Sequence, residues 1–253
     1  MLRRESVFVD FRGLSTMKIP AIAGLALAML ALCFSAAADA AINLSGTRVV
    51  LAAPAKEGSL LLQNASAEDF MLQAWVEADA TGEAPFAITP ALDRLRAGQQ
   101  KALRILYYGE GLPTDKESVF WLNVQEVPQK ARTENTLQIA VRQRLKLFYR
   151  PAGLPGKAED AAKELKWKLV DKGGKNLLEV TNPSRFHVSF ASVTVRKGAE
   201  SYSASIDMVA PGSNFAVEVP GLVERGYSNG FKVEFQAIGD YGGMTKHINV
   251  IAN

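Results

Sequence analysis

Residues 136–151 read TLQIAVRQRLKLFYRP. Leu137, Ile139, Val141, Leu145, Leu147 and Tyr149 share one parity, and Gln138, Ala140, Arg142 and Lys146 fall on the other. An extended chain sends alternate side chains to opposite faces, so the pattern predicts one long strand over 136–149 with an apolar face and a basic face. Strands usually run about five to six residues. One this long fills a place in its own sheet and still has edge to offer. It stops at Arg150-Pro151, because proline has no N–H to give a continuing ladder, and cations gather beside that end. Taken alone, the segment is a sandwich strand whose apolar parity faces a core.

The rest of the chain repeats the theme. Extended segments are expected at 42–52, 58–64, 70–77, 85–89, 102–108 and 119–127, which with 136–149 makes about seven, the number in an immunoglobulin-type sandwich. Between them stand turn-formers: Pro54, Asn64-Ala65-Ser66, Thr81-Gly82, Ala97-Gly98 and Leu112-Pro113. Residues 151–163, PAGLPGKAEDAAK, carry two prolines, two glycines and charges, and read as an interdomain hinge. Strands then resume at 165–170, 176–181, 186–196, 202–209, 214–219, 231–238 and 246–251, with a tight hairpin turn at Gly173-Gly174. LLLQNASAEDFMLQAWV at 60–76 is echoed faintly by LLEVTNPSRFHVSFASV at 177–193, each a strand, an Asn-x-Ser turn and a strand. The expectation is an all-β protein of two tandem immunoglobulin-like β-sandwich domains, 41–150 and 164–253.

The first 40 residues stand apart. Met17-Lys18 precedes an apolar run from Ile19 to Ala38, and Ala38-Asp39-Ala40 has the small-x-small form of a signal cleavage site. Residues 1–40 are expected to be a cleaved secretory signal, with a site after Ala38 nearly as good and Met17 an alternative start. A membrane anchor of about 18 apolar residues is disfavoured, because no basic stop-transfer cluster follows. The single cysteine, Cys33, lies inside this run, so the mature chain can form neither a disulfide nor a thiolate metal site.

Composition excludes more than it assigns. A net charge of +3 and a pI near 8.9 are too mild a bias to argue for nucleic acid. Only His187 and His247 are available for acid–base or metal chemistry, and each sits within a strand pattern as a packed or surface residue. There is no G-x-S-x-G elbow, no H-E-x-x-H and no phosphate-binding glycine loop. Binding without catalysis, cofactor, metal or ATP is the expectation.

Four separated stretches, in order, carry a resemblance: GTRVV at 46–50, KESVFWLNVQEVP at 116–128, RLKLFYRP at 144–151 and GDYGG at 239–243. Together they resemble the periplasmic pilus-assembly chaperones of the chaperone–usher pathway, the PapD-like family. The resemblance implies an L-shaped pair of sandwiches in the periplasm that binds pilus subunits and delivers them to an outer-membrane usher. It implies donor-strand complementation, the lending of a strand to a subunit whose own sandwich lacks one. Leu137, Ile139 and Val141 match the lent residues, although alternation alone allows them to fill this chain's own core.

Arg48 and Lys146 match the two basic residues that hold the subunit's terminal carboxylate; without the family, Arg48 reads as a solvated strand residue. Two converging cations in a partly dry cleft favour an anion. Parity puts Lys146 opposite the lent residues, so a bulge or twist is expected between them. Glu117, Arg150 and Asp240 match an ion-pair network that sets the angle between domains. Exposed pairs contribute only about 0–1 kcal/mol, so any importance must come from burial or geometry. The short 129–135 connection is like that of members serving rod-forming pili, and a monomer or weak self-capping dimer is implied. Where the family often has a second-domain disulfide, this chain has none. The alternatives are a tandem sandwich acting as a surface or adhesive structural protein, and a divergent sandwich hydrolase.

Overall fold

Period-two burial organises strands such as 57–64, 100–107, 175–181 and 231–238, and the buried parity decides which sheet face becomes core. The computed structural model describes residues 42–78, 83–109, 111–129, 137–223 and 230–251. The expected signal segment, and the 129–135 connection beyond Gln129, lie outside the described residues.

The segment expected as one strand over 42–52 is two: β1 (Ile42–Leu44) and β2 (Arg48–Ala52). β3 (Glu57–Asn64), β4 (Phe70–Ala78), β5 (Phe86–Thr89), β6 (Leu92–Leu95), β7 (Gln100–Tyr107), β8 (Ser118–Val127) and β9 (Arg142–Arg150) complete the first half. One sheet runs β1-β3-β7-β5, and the facing one runs β2-β9-β8-β4-β6. The break at residues 45–47 therefore carries the chain from one sheet to the other. Ser45 marks the crossing: its N–H donates to the Leu61 carbonyl at 2.9 Å, and its Oγ accepts from the Leu61 N–H at 3.1 Å. A periodicity read along the sequence cannot detect a change of sheet, because both halves keep an alternating pattern. β6 also escaped sequence reading; Leu92-Asp93-Arg94-Leu95 is short and half charged. The Ala53–Pro54 and Thr89–Pro90 peptides are cis.

The second half holds a short helix α1 (Ala158–Glu164), then β10 (Lys166–Lys172), β11 (Lys175–Thr181), β12 (Val188–Lys197), β13 (Glu200–Ala204), β14 (Met208–Val209), β15 (Asn214–Glu218), β16 (Phe231–Ile238) and β17 (Met244–Val250). One sheet runs β10-β11-β15 and the other β13-β12-β16-β17, with β14 also on β12. Helix α1 occupies the end of the segment that reads as a hinge. Glu159 and Asp160 in its first turn and Lys163 in its last complement the helix dipole, while Ala161 and Ala162 are buried. The strand expected over 202–209 is interrupted, giving β13 and β14, and Asp207 lies in the gap.

Each half has its own core. Leu60, Leu62, Leu72, Leu103, Ile105, Leu122 and Leu147 centre the first, and Trp167, Leu178, Val180, Phe190, Val233 and Phe235 the second. In the second, Trp167, Phe190 and Phe235 pack with ring centroids 5.2–5.9 Å apart. Burying one large apolar side chain contributes about 1.5–3 kcal/mol, so two such cores can hold a fold with no cross-link.

The faint echo between the halves is structural. Asn64 Nδ2 donates to the Glu68 and Leu95 carbonyls, and its Oδ1 accepts from the Ser66 N–H and hydroxyl. Asn182 repeats this with Phe186, Val209 and Ser184. Both asparagines are fully buried, so a complete set of partners is what makes them tolerable.

Candidate functional site

β2 and β9 pair in parallel, and in their register Arg48 stands directly beside Lys146. The sheet change at residues 45–47 is what brings the arginine there, since only the second piece of the first strand joins β9's sheet. Lys146 shares a parity with Phe148, and both are buried although Leu145 and Leu147 fill the core on the other side. At Lys146 and Phe148 the face that reads as basic is therefore covered, and what covers it belongs to the second half, whereas Arg142 and Arg144 stay exposed.

Lys146 Nζ donates to Asp207 Oδ1 at 2.7 Å and to Ser189 Oγ at 3.4 Å. Arg48 Nη1 donates to the Ile238 carbonyl at 3.1 Å, and its guanidinium lies 5.9 Å from the Phe148 ring centroid. The buried Nε of Arg48 has no hydrogen-bond partner among the described residues. Burial holds the Arg48 guanidinium below its usual pKa, opposed by the carboxylates of Asp240, Asp207 and Glu117.

Beside the two cations, Glu117 joins β8's start to the second half. Its Oε1 accepts from Arg150 Nε and Nη2 at 3.0 and 2.9 Å. Its Oε2 accepts the His187 backbone N–H at 2.8 Å and lies 2.9 Å from His187 Nδ1. Arg150 also donates from Nη1 and Nη2 to Asp240 at 2.8 and 2.9 Å. Burial opposes the Arg150 charge, but hydrogen bonds and charges from Asp240 and Glu117 outweigh it and raise its pKa. Glu117 is almost wholly buried, which takes this network out of the exposed-pair regime.

His187, read from sequence as packed or surface, is packed: its ring lies 5.5 Å from that of Phe148. One glycine of GDYGG has a steric reason as well. Gly242 sits at φ +82°, and a Cβ there would come 2.7 Å from Thr47 Oγ1. A cavity of about 760 Å³ adjoins the network, with Arg48, Arg150, Phe186, His187 and Asp240 in its wall. Among the described residues, no three His, Cys, Asp or Glu side chains gather where they could share a metal ion.

Leu137, Ile139 and Val141 differ from the expectation of one continuous strand. β9 begins at Arg142, and these three side chains stand outside it, 85%, 69% and 39% exposed. The Val141 carbonyl accepts the Glu126 N–H at 3.0 Å, the last backbone link toward β8. From Arg142 to Tyr149 the β8–β9 register runs without a shift, so the expected bulge is absent there.

The opposite edge of β9 pairs with β2 only from Lys146 onward. Over 142–145 that edge has no strand neighbour among the described residues, because β1 has left for the other sheet. A groove of about 560 Å³ opens there, lined by Ile42, Leu44, Thr47, Val141, Arg144 and Leu145. Gln143 Nε2 spans it, donating to the Ile42 carbonyl at 2.7 Å.

Residues 41–155 match the family described as pili and flagellar-assembly chaperone, PapD N-terminal domain, and residues 160–249 match pili assembly chaperone PapD, C-terminal domain. This chain belongs to the PapD-like pilus-assembly chaperones. It is a fimbrial chaperone of the chaperone–usher pathway with the family's immunoglobulin-like fold, and a chaperone is not an enzyme class. Family membership places the chain among chaperones rather than adhesive structural proteins.

The chain is 38% identical over 222 residues to the probable fimbrial chaperone YadV of Escherichia coli K12, covering 83% of this chain and 89% of that protein. The YadV crystal structure has a TM-score of 0.74 over 84% of this chain and 100% of its own. Chaperone protein FimB/FhaD of Bordetella pertussis is 37% identical over 246 residues, 92% of this chain and 96% of that one. A Salmonella enterica structure of the SafA pilin in complex with the SafB chaperone aligns with a TM-score of 0.71 at 30% identity, over 85% of this chain and 99% of that one.

Sequence reading missed Asp207, Ser189 and Thr47. Asp207 and Ser189 lie in no motif and Thr47 of GTRVV was given no role, and each matters only through its approach to a distant residue.

Proposed function

We propose that this chaperone works in the periplasm, after removal of residues 1–40, with domains at 41–150 and 164–253 joined through 151–163. It binds pilus subunits, completes their folds with the segment carrying Leu137, Ile139 and Val141, and passes them to an outer-membrane usher. Arg48 and Lys146 hold the subunit's terminal carboxylate. Glu117, Arg150 and Asp240 fix the angle between domains. It needs no catalysis, cofactor or ATP, and is a monomer or a weak self-capped dimer when free.

The observation that carries this reading is the pairing of Arg48 with Lys146 at the end of an open strand edge that leads from exposed apolar residues. A carboxylate docked at the two cations sets the register of any strand laid along β9. Backbone bonds then supply affinity, and Leu137, Ile139 and Val141 enter the gap in the client's core. Their exposure before binding fits a segment that finds its burial in another chain. SafB with its SafA pilin provides a related pairing of chaperone and subunit.

The test is co-expression with the subunit encoded beside it. Arg48→Ala and Lys146→Ala should each yield folded protein whose subunit recovery falls at least tenfold, as expected when charged hydrogen bonds worth about 1.5–3 kcal/mol are lost. Recovery equal to wild type in both variants rules out the anchor.

A further inference from the structure

A buried ammonium needs a counter-charge, because leaving one unpaired in a dry site costs several kcal/mol by general experience. Lys146, with its side chain 10% exposed, meets that need through Asp207, whose side chain is 71% exposed. The pair is lopsided: the lysine depends on its partner, whereas the aspartate can return to water at little cost. Asp207 is held opposite by its backbone. Its carbonyl accepts the Phe190 N–H at 2.9 Å, and the next residue pairs with Ser189 in the β12–β14 ladder. Arg48 is the reverse case. Its Nη1 bonds a neutral carbonyl, and its buried Nε is unmatched among the described residues. Of two adjacent cations, one is capped by a carboxylate of the same chain and the other is open.

We propose that Asp207 is an internal occupant of the anion site, holding Lys146 in the free chaperone until a client's terminal carboxylate displaces it. This rests on Arg48 and Lys146 being the carboxylate anchor. The incoming carboxylate first meets the open Arg48 and then takes Lys146 from Asp207. When the client leaves, Asp207 closes on Lys146 again, so release never strands a bare charge. The exchange also imposes selectivity, since an uncharged chain end has nothing with which to replace the resident carboxylate.

The experiment uses the purified chaperone and a 12-residue peptide of alternating valine and threonine, with either a free or an amidated C-terminus. Binding is followed by titration calorimetry in wild type, Asp207→Asn and Asp207→Ala. Removing the competitor should tighten the free-carboxylate peptide about five- to tenfold, the amount by which a partly closed site lowers apparent affinity, and leave the amidated peptide unchanged. Without peptide, both variants should melt at lower temperature than wild type, and the free-carboxylate peptide should raise their midpoint by more.

If wild type prefers the free carboxylate but neither variant gains affinity for it, Asp207 is not a competitor. If wild type binds both peptides equally and Arg48→Met and Lys146→Met bind as wild type does, the anchor itself has failed, and the proposal falls with it.

Discussion

Residues 137–141 and 145–149 carry the same alternation of apolar side chains, yet their fates are opposite. Leu145 and Leu147 are buried in the first core, and Lys146 and Phe148 are buried on the other face against the second domain. Leu137 and Ile139 face solvent, and no ladder includes them. What differs is the neighbourhood. The lower stretch lies between β8 and β2, while the upper stretch has run past β2 and keeps only the Val141 carbonyl bonded to β8. A pattern of apolar residues therefore states that burial is wanted. It does not state which molecule supplies it.

Three substitutions press on that contrast. Leu147→Ala empties a fully buried site and should destabilise by about 3–4 kcal/mol in urea unfolding; a loss below 1 kcal/mol would mean the lower stretch is no better packed than the upper. Glu117→Ala removes a buried carboxylate shared by Arg150 and His187, and should cost about 3 kcal/mol. Because this network links the domains, thermal unfolding should change from one transition to two as their coupling weakens, and an unaltered melt would contradict the linking role. Ile139→Ser should shift stability by less than about 0.5 kcal/mol, as exposed substitutions do. Subunit recovery should nevertheless fall severalfold, and a variant that captures subunit normally would place the lent surface elsewhere.

The Asn-x-Ser corners show how far local sequence reaches. Asn64 and Asn182 bond their own serines and the carbonyl four residues on, and a motif of three residues is enough to announce that turn. Each also bonds a distant carbonyl, Leu95 in one half and Val209 in the other, and nothing in the motif names it. The candidate site follows the same rule. GTRVV, RLKLFYRP and GDYGG can be found by eye, and the strands that the first two supply are legible from their alternation. Ser189 and Asp207 could not be found this way, because their role comes from meeting Lys146, 43 and 61 residues away.

By itself, the order of residues determined an all-β chain, its division into two sandwiches, and the absence of any cysteine from the stretch after the expected signal. These follow from periodicity and composition, which are properties of short windows. Tertiary structure alone decided that the first strand changes sheets, that Arg48 thereby becomes Lys146's neighbour, and that a solvent-facing aspartate closes over that lysine. Those outcomes depend on which strands run side by side. That choice is made by summing contacts across the whole chain, and no single window of the sequence contains the sum.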